Sequence, residues 1–172
     1  MQPHLMYDYL VKTRAKLFDW TRPLSKEQYE REFPYALMTI HATLLHTAGA
    51  EWAYGQRLQG RMVTIGDSPF TAEKIPAFAG LESAWDHLAG ETRGILGQIT
   101  NWDDPLKYRI FPQGPSAPAV RIQTTKGGLA SQLLFHEVHH RSQVMSMLKQ
   151  LGVQAQNLDY GTLMFAREQE SA

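Results

Sequence analysis

The sequence predicts an all-α protein: a four-helix bundle with a short β-hairpin insertion before the last long helix and a short C-terminal helix. Four long segments carry apolar residues at helical spacing, and loops containing proline or glycine separate them. One segment, residues 101–126, instead holds two short runs of alternating or β-branched residues, which predict two strands. Because no repeat, low-complexity tract or linker interrupts the chain, we expect residues 1–172 to form a single domain.

Residues that typically start or stop helices bound the predicted segments. Pro23 ends the first helix, and Ser25 followed by Gln28 has the shape of a capping box, which predicts a short helical turn there. Gly60 and Gly152 suit the positions just past the second and fourth long helices. The predicted helices cover residues 3–20, 35–60, 81–99, 129–151 and 158–167.

Composition and charge exclude several classes of function. Lys plus Arg and Asp plus Glu both number 17 in 172 residues, so the chain has no net charge with which to seek a phosphate backbone, and nucleic acid is not an expected partner. No apolar run is long enough for a membrane span or a signal peptide, so we expect a cytoplasmic protein without a membrane partner. Cysteine is absent, so any metal takes nitrogen or oxygen ligands and any reacting thiol comes with a substrate.

The fourth long helix contains a histidine motif that points to a metal. His136-Glu137-Val138-His139-His140 spells H-E-x-x-H. With about 100° between successive helical residues, His136 and His140 lie one turn apart at or within the apolar face, whereas His139 points outward. Two imidazoles buried side by side need polar partners, and one shared metal ion satisfies both.

Two more specific interpretations of this motif lack support in the surrounding sequence. A metzincin-type zinc protease would have Gly at position 143 and His at 146, where the chain has Gln143 and Ser146. A di-iron carboxylate site would need a second Glu-x-x-His, which the sequence does not contain. The pair His136 and His140 therefore counts as a two-histidine clamp, with Glu137 as a candidate catalytic base beside it.

The second long helix offers two histidines as a third ligand. On its helical wheel His41 shares an arc with large apolar residues, which favours His41 as the buried one. His46 shares a stripe of small residues with Ala42, Gly49 and Ala50, as expected of a helix that lines a cavity. Periodicity alone leaves both candidates open.

The stretch Leu44-Leu45-His46-Thr47-Ala48-Gly49-Ala50-Glu51-Trp52, followed by His136-x-x-His139-His140-Arg141-x-Gln143, resembles the DinB/YfiT family. The closing "QLG" and "LDYGTLMF" are also similar to family members, and the resemblance covers nearly the whole chain. It implies a four-helix bundle whose metal is bound by three histidines. Carried across, the resemblance makes His46, His136 and His140 the ligands, and it implies a homodimer.

Three histidines on a divalent ion, with Zn or Ni most expected, leave coordination positions open for a small-molecule substrate. An activated water would give a hydrolase, and an activated substrate thiol a thiol S-transferase. Family members similar to this chain include enzymes that use low-molecular-weight thiols such as bacillithiol or mycothiol. The alternative is a non-catalytic, stress-associated binding protein whose metal is structural or absent. We expect Arg141 to form a buried ion pair or to face an anionic substrate, and the remaining candidates around the site or its pocket are Glu51, Trp52, His139 and Gln143.

Overall fold

A computed structural model describes residues 3–111 and 118–166 and confirms the predicted fold class. Within these residues the chain forms six helices, one 3₁₀ turn and a two-stranded antiparallel hairpin. The helices are α1 (Pro3–Thr21), α2 (Lys26–Tyr29), α3 (Ile40–Leu58), α4 (Phe78–Gly97), α5 (Lys126–Gln150) and α6 (Tyr160–Met164). The 3₁₀ turn covers Ile65–Asp67, and the strands are β1 (Pro105–Ile110) and β2 (Val120–Thr125).

The four long helices form the bundle. Both α1 and α3 pack against α4 and against α5, so α1 lies diagonally opposite α3. Two apolar clusters fill the interior: one surrounds Trp85 and Phe18, and the other surrounds Leu10 and Leu129. In the part of the chain that the structure describes, no helix is both long and apolar enough to cross a bilayer.

Helix α3 begins five residues later than the sequence pattern predicts. Ala36 and Met38 have φ angles of 55° and 68°, in the left-handed region, and this conformation interrupts a right-handed helix. Thr39 then caps the helix, because its side chain accepts a hydrogen bond from the backbone N–H of Ala42 at 2.9 Å. The predicted start at residue 35 is therefore wrong, and His46 lies in the second turn of α3.

Helix α5 begins three residues earlier than predicted, directly after β2. The Thr125 side chain caps it by accepting from the Gly128 N–H at 3.0 Å. A Cβ atom at Gly127 would lie 3.2 Å from the Trp102 carbonyl oxygen, and one at Gly128 would lie 2.2 Å from Thr124 Oγ1. Glycine at both positions therefore permits the close approach that lets a strand turn at once into the longest helix.

The hairpin and the C-terminal helix occur where the sequence predicts them. Strands β1 and β2 pair from Pro105 opposite Thr125 to Ile110 opposite Val120. Helix α6 is fastened to α1, because Tyr9 contacts the Tyr160 ring edge-on and donates a hydrogen bond to the Leu158 carbonyl at 2.7 Å. The predicted end of α6 at residue 167 lies outside the described residues.

Candidate metal centre

Three histidines from α3 and α5 form a cluster that could hold a metal ion. One ring nitrogen each from His46, His136 and His140 lies within 4.8 Å of the others. His136 and His140 are one turn apart on α5, and the packing of α3 against α5 brings His46 opposite them. The structure thus brings together the three histidines that the family resemblance implies.

The distance between two of these nitrogens suits a shared ion. His46 Nε2 and His136 Nε2 are 3.1 Å apart. Two imidazoles that bind zinc at about 2.0–2.1 Å in a tetrahedral arrangement would have nitrogens roughly 3.3 Å apart. The separation of these two nitrogens is therefore close to that of two ligands on one ion.

Gln143 fixes the orientation of the third ring. The Nδ1–H of His140 donates to Gln143 Oε1 at 2.7 Å, since an amide oxygen can only accept. This leaves His140 Nε2 without a proton and with a lone pair available for a metal. Gln143 is in turn held by His139, whose Nε2 accepts from Gln143 Nε2 at 3.0 Å. His139 is exposed and does not join the cluster, so its place is beside Gln143.

The surroundings of the cluster keep the three imidazoles neutral. Burial, followed by the neighbouring His140 and His46, lowers the pKa of His136 to about 4. Burial and then His140 lower the pKa of His46. Burial also lowers the pKa of His140, although its hydrogen bond to Gln143 opposes the shift. Neutral rings are the form that binds a metal, so binding near pH 7 requires no loss of protons from the cluster.

The cluster opens into a large pocket. A cavity of about 860 Å³ lies along α3 and is bounded by the loop that follows α3 and by the end of β1, and both His46 and His136 line it. Trp52 also lines the pocket and packs against the apolar core, as a wall residue does. Tyr54 meets the His136 ring edge-on, with ring centroids 5.7 Å apart. The volume is in the range of small-molecule sites.

His41, which the helical wheel favours, lies outside the cluster. It is 8% exposed, and its Nε2–H donates to the Ile75 carbonyl at 3.0 Å. Its ring also lies against Tyr29, with centroids 4.9 Å apart. His41 is thus a hydrogen-bonded core residue, and the wheel identified the buried histidine without identifying the clustered one.

Glu51 and Glu137 lie in a buried polar layer, away from the histidines. Arg14 of α1 joins them: its Nη2 is 2.6 Å from Glu51 Oε2 and 2.6 Å from Glu137 Oε2. Glu51 also accepts hydrogen bonds from Trp85 and Thr92, both at 2.8 Å, and from Tyr7. Among the described residues, neither carboxylate is hydrogen-bonded to an imidazole of the cluster. Glu137 therefore does not take the position of a base beside the metal that its place in the motif predicts. Arg14 carries no motif in the sequence, so only the three-dimensional arrangement identifies it.

Arg141 belongs to the same layer. It is 7% exposed and donates to the hydroxyl of Thr13 and, at 2.7 Å, to the hydroxyl of Tyr9. Its hydrogen-bond partners in the described part of the chain are therefore hydroxyl groups, and the expected direct ion pair is wrong. Arg141 is not among the residues that line the pocket either.

Comparison with known proteins agrees with this arrangement. A family model described as "DinB family" matches residues 1–171. The chain belongs to the DinB family. It is similar to a protein named Protein DinB from Bacillus subtilis (strain 168), at 24% identity over 173 residues that cover 97% of this chain and 96% of that protein. The family membership that the resemblance predicts is thereby confirmed over residues 1–171.

Proposed function

We propose that the protein is a metal-dependent enzyme that acts on a small molecule, as a thiol S-transferase or as a hydrolase. The observation that carries this proposal is the open three-histidine cluster on the wall of a large pocket. Three protein ligands with room for a further ligand are typical of catalytic metal sites, whereas structural zinc sites use four protein ligands. Among the described residues, the cluster has three members and no fourth.

The donor set suits Zn²⁺ or Ni²⁺. His46, His136 and His140 would hold the ion through neutral ring nitrogens, and imidazole is a common ligand for both metals. When bound, such an ion supplies Lewis-acid chemistry, lowering the pKa of a water or thiol ligand toward neutrality. Gln143 keeps the ring of His140 turned toward the others, and Trp52 and Tyr54 provide apolar pocket wall beside the reacting groups.

We assign Glu137 to the buried layer instead of to the chemistry. A general base must reach the proton that it removes, and both carboxylate oxygens of Glu137 are engaged by Arg14. Burial raises the pKa of Glu137, and the Arg14 guanidinium opposes that rise. The H-E-x-x-H spelling is therefore a two-histidine clamp that overlaps a structural glutamate.

A thiol substrate would supply the sulfur nucleophile that the chain itself lacks. The protein has no cysteine, so a transferred sulfur nucleophile comes from outside, for example from a low-molecular-weight thiol of the bacillithiol or mycothiol kind. We extend the proposal to a homodimer located in the cytoplasm. Light scattering coupled to gel filtration would test the oligomeric state. The non-catalytic alternative requires a structural or absent metal.

The experiment is an activity comparison between metal-loaded and metal-free protein. Conjugation of low-molecular-weight thiols to an aromatic chloride tests the transferase, and cleavage of activated esters and amides tests the hydrolase. We expect turnover only with metal, and its loss in His140→Ala with retention in His41→Ala. Full metal occupancy without turnover on either panel would favour the binding-protein alternative.

A further inference from the structure

Arg57 in the last turn of α3 is a cation on the pocket wall without an anionic partner. Its guanidinium lies over the Tyr108 ring of β1, with the central carbon 4.8 Å from the ring centroid. Its Nε atom is buried and finds no acceptor among the described residues. A donor buried without a partner is unfavourable, so a ligand that brings an acceptor to this guanidinium would be favoured.

No acidic group of the described chain neutralises this cation. Residues 3–111 and 118–166 contain no ion pair that involves Arg57, and the hairpin tip, residues 112–117, has no acidic residue in its sequence. Glu30 also lines the pocket, but it follows Tyr29, which lies against His41. His41 precedes Arg57 by 16 residues, about 24 Å along the helix axis. Glu30 therefore belongs to the other end of the pocket.

Arg57 and His46 lie on the same face of α3. They are 11 residues apart, which is about three helical turns and roughly 16 Å along the axis. Ala50 and Ala53 lie between them and also line the pocket. Their small side chains leave an apolar path that joins the histidine cluster to the guanidinium.

We propose that Arg57 is the anion-binding subsite of this pocket, so that the substrate carries a carboxylate at the end of an extended chain whose other end reaches the three-histidine centre. The metal-facing half of this statement rests on the proposed function. The guanidinium presents several donors in a planar fork that matches a carboxylate, and Tyr108 holds that plane in place. Arg57 would thus select thiols or hydrolysable esters that carry a carboxylate at the end opposite to the reacting group.

The test uses probes that differ only in charge and length. They are the ω-mercapto derivatives of butanoic, octanoic and undecanoic acid and the matching primary amides. Calorimetric titration is carried out on wild type, Arg57→Gln and Arg61→Gln, each in metal-free and in cobalt-loaded form. Arg61 is the matched control, because it is an exposed arginine that pairs with Gln56 and does not line the pocket.

We expect the wild type to bind the longer acids about tenfold to a hundredfold more tightly than their amides in both metal states. Arg57→Gln should remove this preference and Arg61→Gln should keep it. In cobalt-loaded protein, the thiolate absorption band should accompany binding, and the butanoic probe should lose the acid preference because it is too short to reach Arg57. Equal binding of acids and amides, no binding of either, or an acid preference that survives Arg57→Gln would overturn the proposal.

These outcomes separate the two proposals. An acid preference that depends on Arg57 in metal-free protein supports the anion subsite even if the protein takes up no metal. A cobalt–thiolate band without an acid preference would instead support the metal centre alone and reject the role of Arg57.

Discussion

At the scale of single residues, the histidine cluster depends on a neighbour that is not one of the three histidines. Gln143 accepts from His140 Nδ1–H and so decides which nitrogen of that ring faces His46 and His136. Partners of this kind fix the tautomer and the ring plane of a ligating histidine. The three-histidine cluster therefore relies on a glutamine outside it, one turn further along α5, to orient one of its rings.

Removal of that glutamine should weaken metal binding without abolishing it. We expect Gln143→Leu to lower the affinity for Zn²⁺ or Ni²⁺ by about tenfold to a hundredfold, because His140 loses the bond that orients it. Competition against a chromophoric chelator measures the change. Gln150→Leu is the control, since Gln150 is an exposed glutamine of α5 that bonds Tyr35 and lies outside the cluster. Equal affinities in the two variants would contradict this role for Gln143.

The lowered histidine pKa values also predict how the metal-free protein responds to acid. A histidine whose pKa is lowered by folding binds fewer protons in the folded than in the unfolded state, so protonation favours unfolding. The stabilisation is complete above the unfolded pKa of about 6.5 and is lost as the pH falls toward the folded value, about 4 for His136. Urea unfolding of the metal-free protein should show a free energy of unfolding that decreases as the pH is lowered between these limits.

His136→Gln should flatten that pH dependence, because it removes the most strongly shifted group. His87→Gln is the matched control, since the His87 side chain is 82% exposed. If both variants keep the slope of the wild type, the cluster does not contribute to the acid response.

At the scale of secondary-structure elements, one arginine ties three helices together. Arg14 of α1 bonds Glu51 of α3 and Glu137 of α5, and these side chains are between 2% and 5% exposed. The pairing fixes the register of α3 against α5, and that register sets the distance between His46 and the two histidines of α5. Glu51 and Glu137 thus support the cluster through the helices that carry it.

Loss of Arg14 should be costly, because two carboxylates remain buried without a cation. We expect Arg14→Met to lower the free energy of unfolding by about 3–5 kcal/mol in urea titrations. Arg22→Met, which breaks exposed pairs with Glu82 and Asp19, should cost about 1 kcal/mol or less. Similar losses in the two variants would show that the buried layer is not a stabilising tie.

At the scale of the whole molecule, the helical spacing of four segments and the alternating or β-branched residues of a fifth were enough to predict the bundle, the hairpin and their order. It could not predict the start of α3, because apolar spacing does not reveal the left-handed conformations of Ala36 and Met38 that delay it. Nor could it choose between His41 and His46, since a wheel separates buried from exposed faces and does not show which histidine lies opposite His136 and His140 when α3 packs against α5. The role of Arg14 was missed because its partners, Glu51 and Glu137, are 37 and 123 residues away along the chain.

The central claim is that His46, His136 and His140 hold one catalytic metal ion, and elemental analysis of purified protein tests it most directly. We expect about one divalent ion per chain in wild type and in His41→Ala, and loss of the ion in His46→Ala, His136→Ala and His140→Ala. Circular dichroism would verify that each variant is folded. Loss of metal in His41→Ala with retention in His46→Ala, or no metal in folded wild type after reloading with Zn²⁺ or Ni²⁺, would contradict the claim.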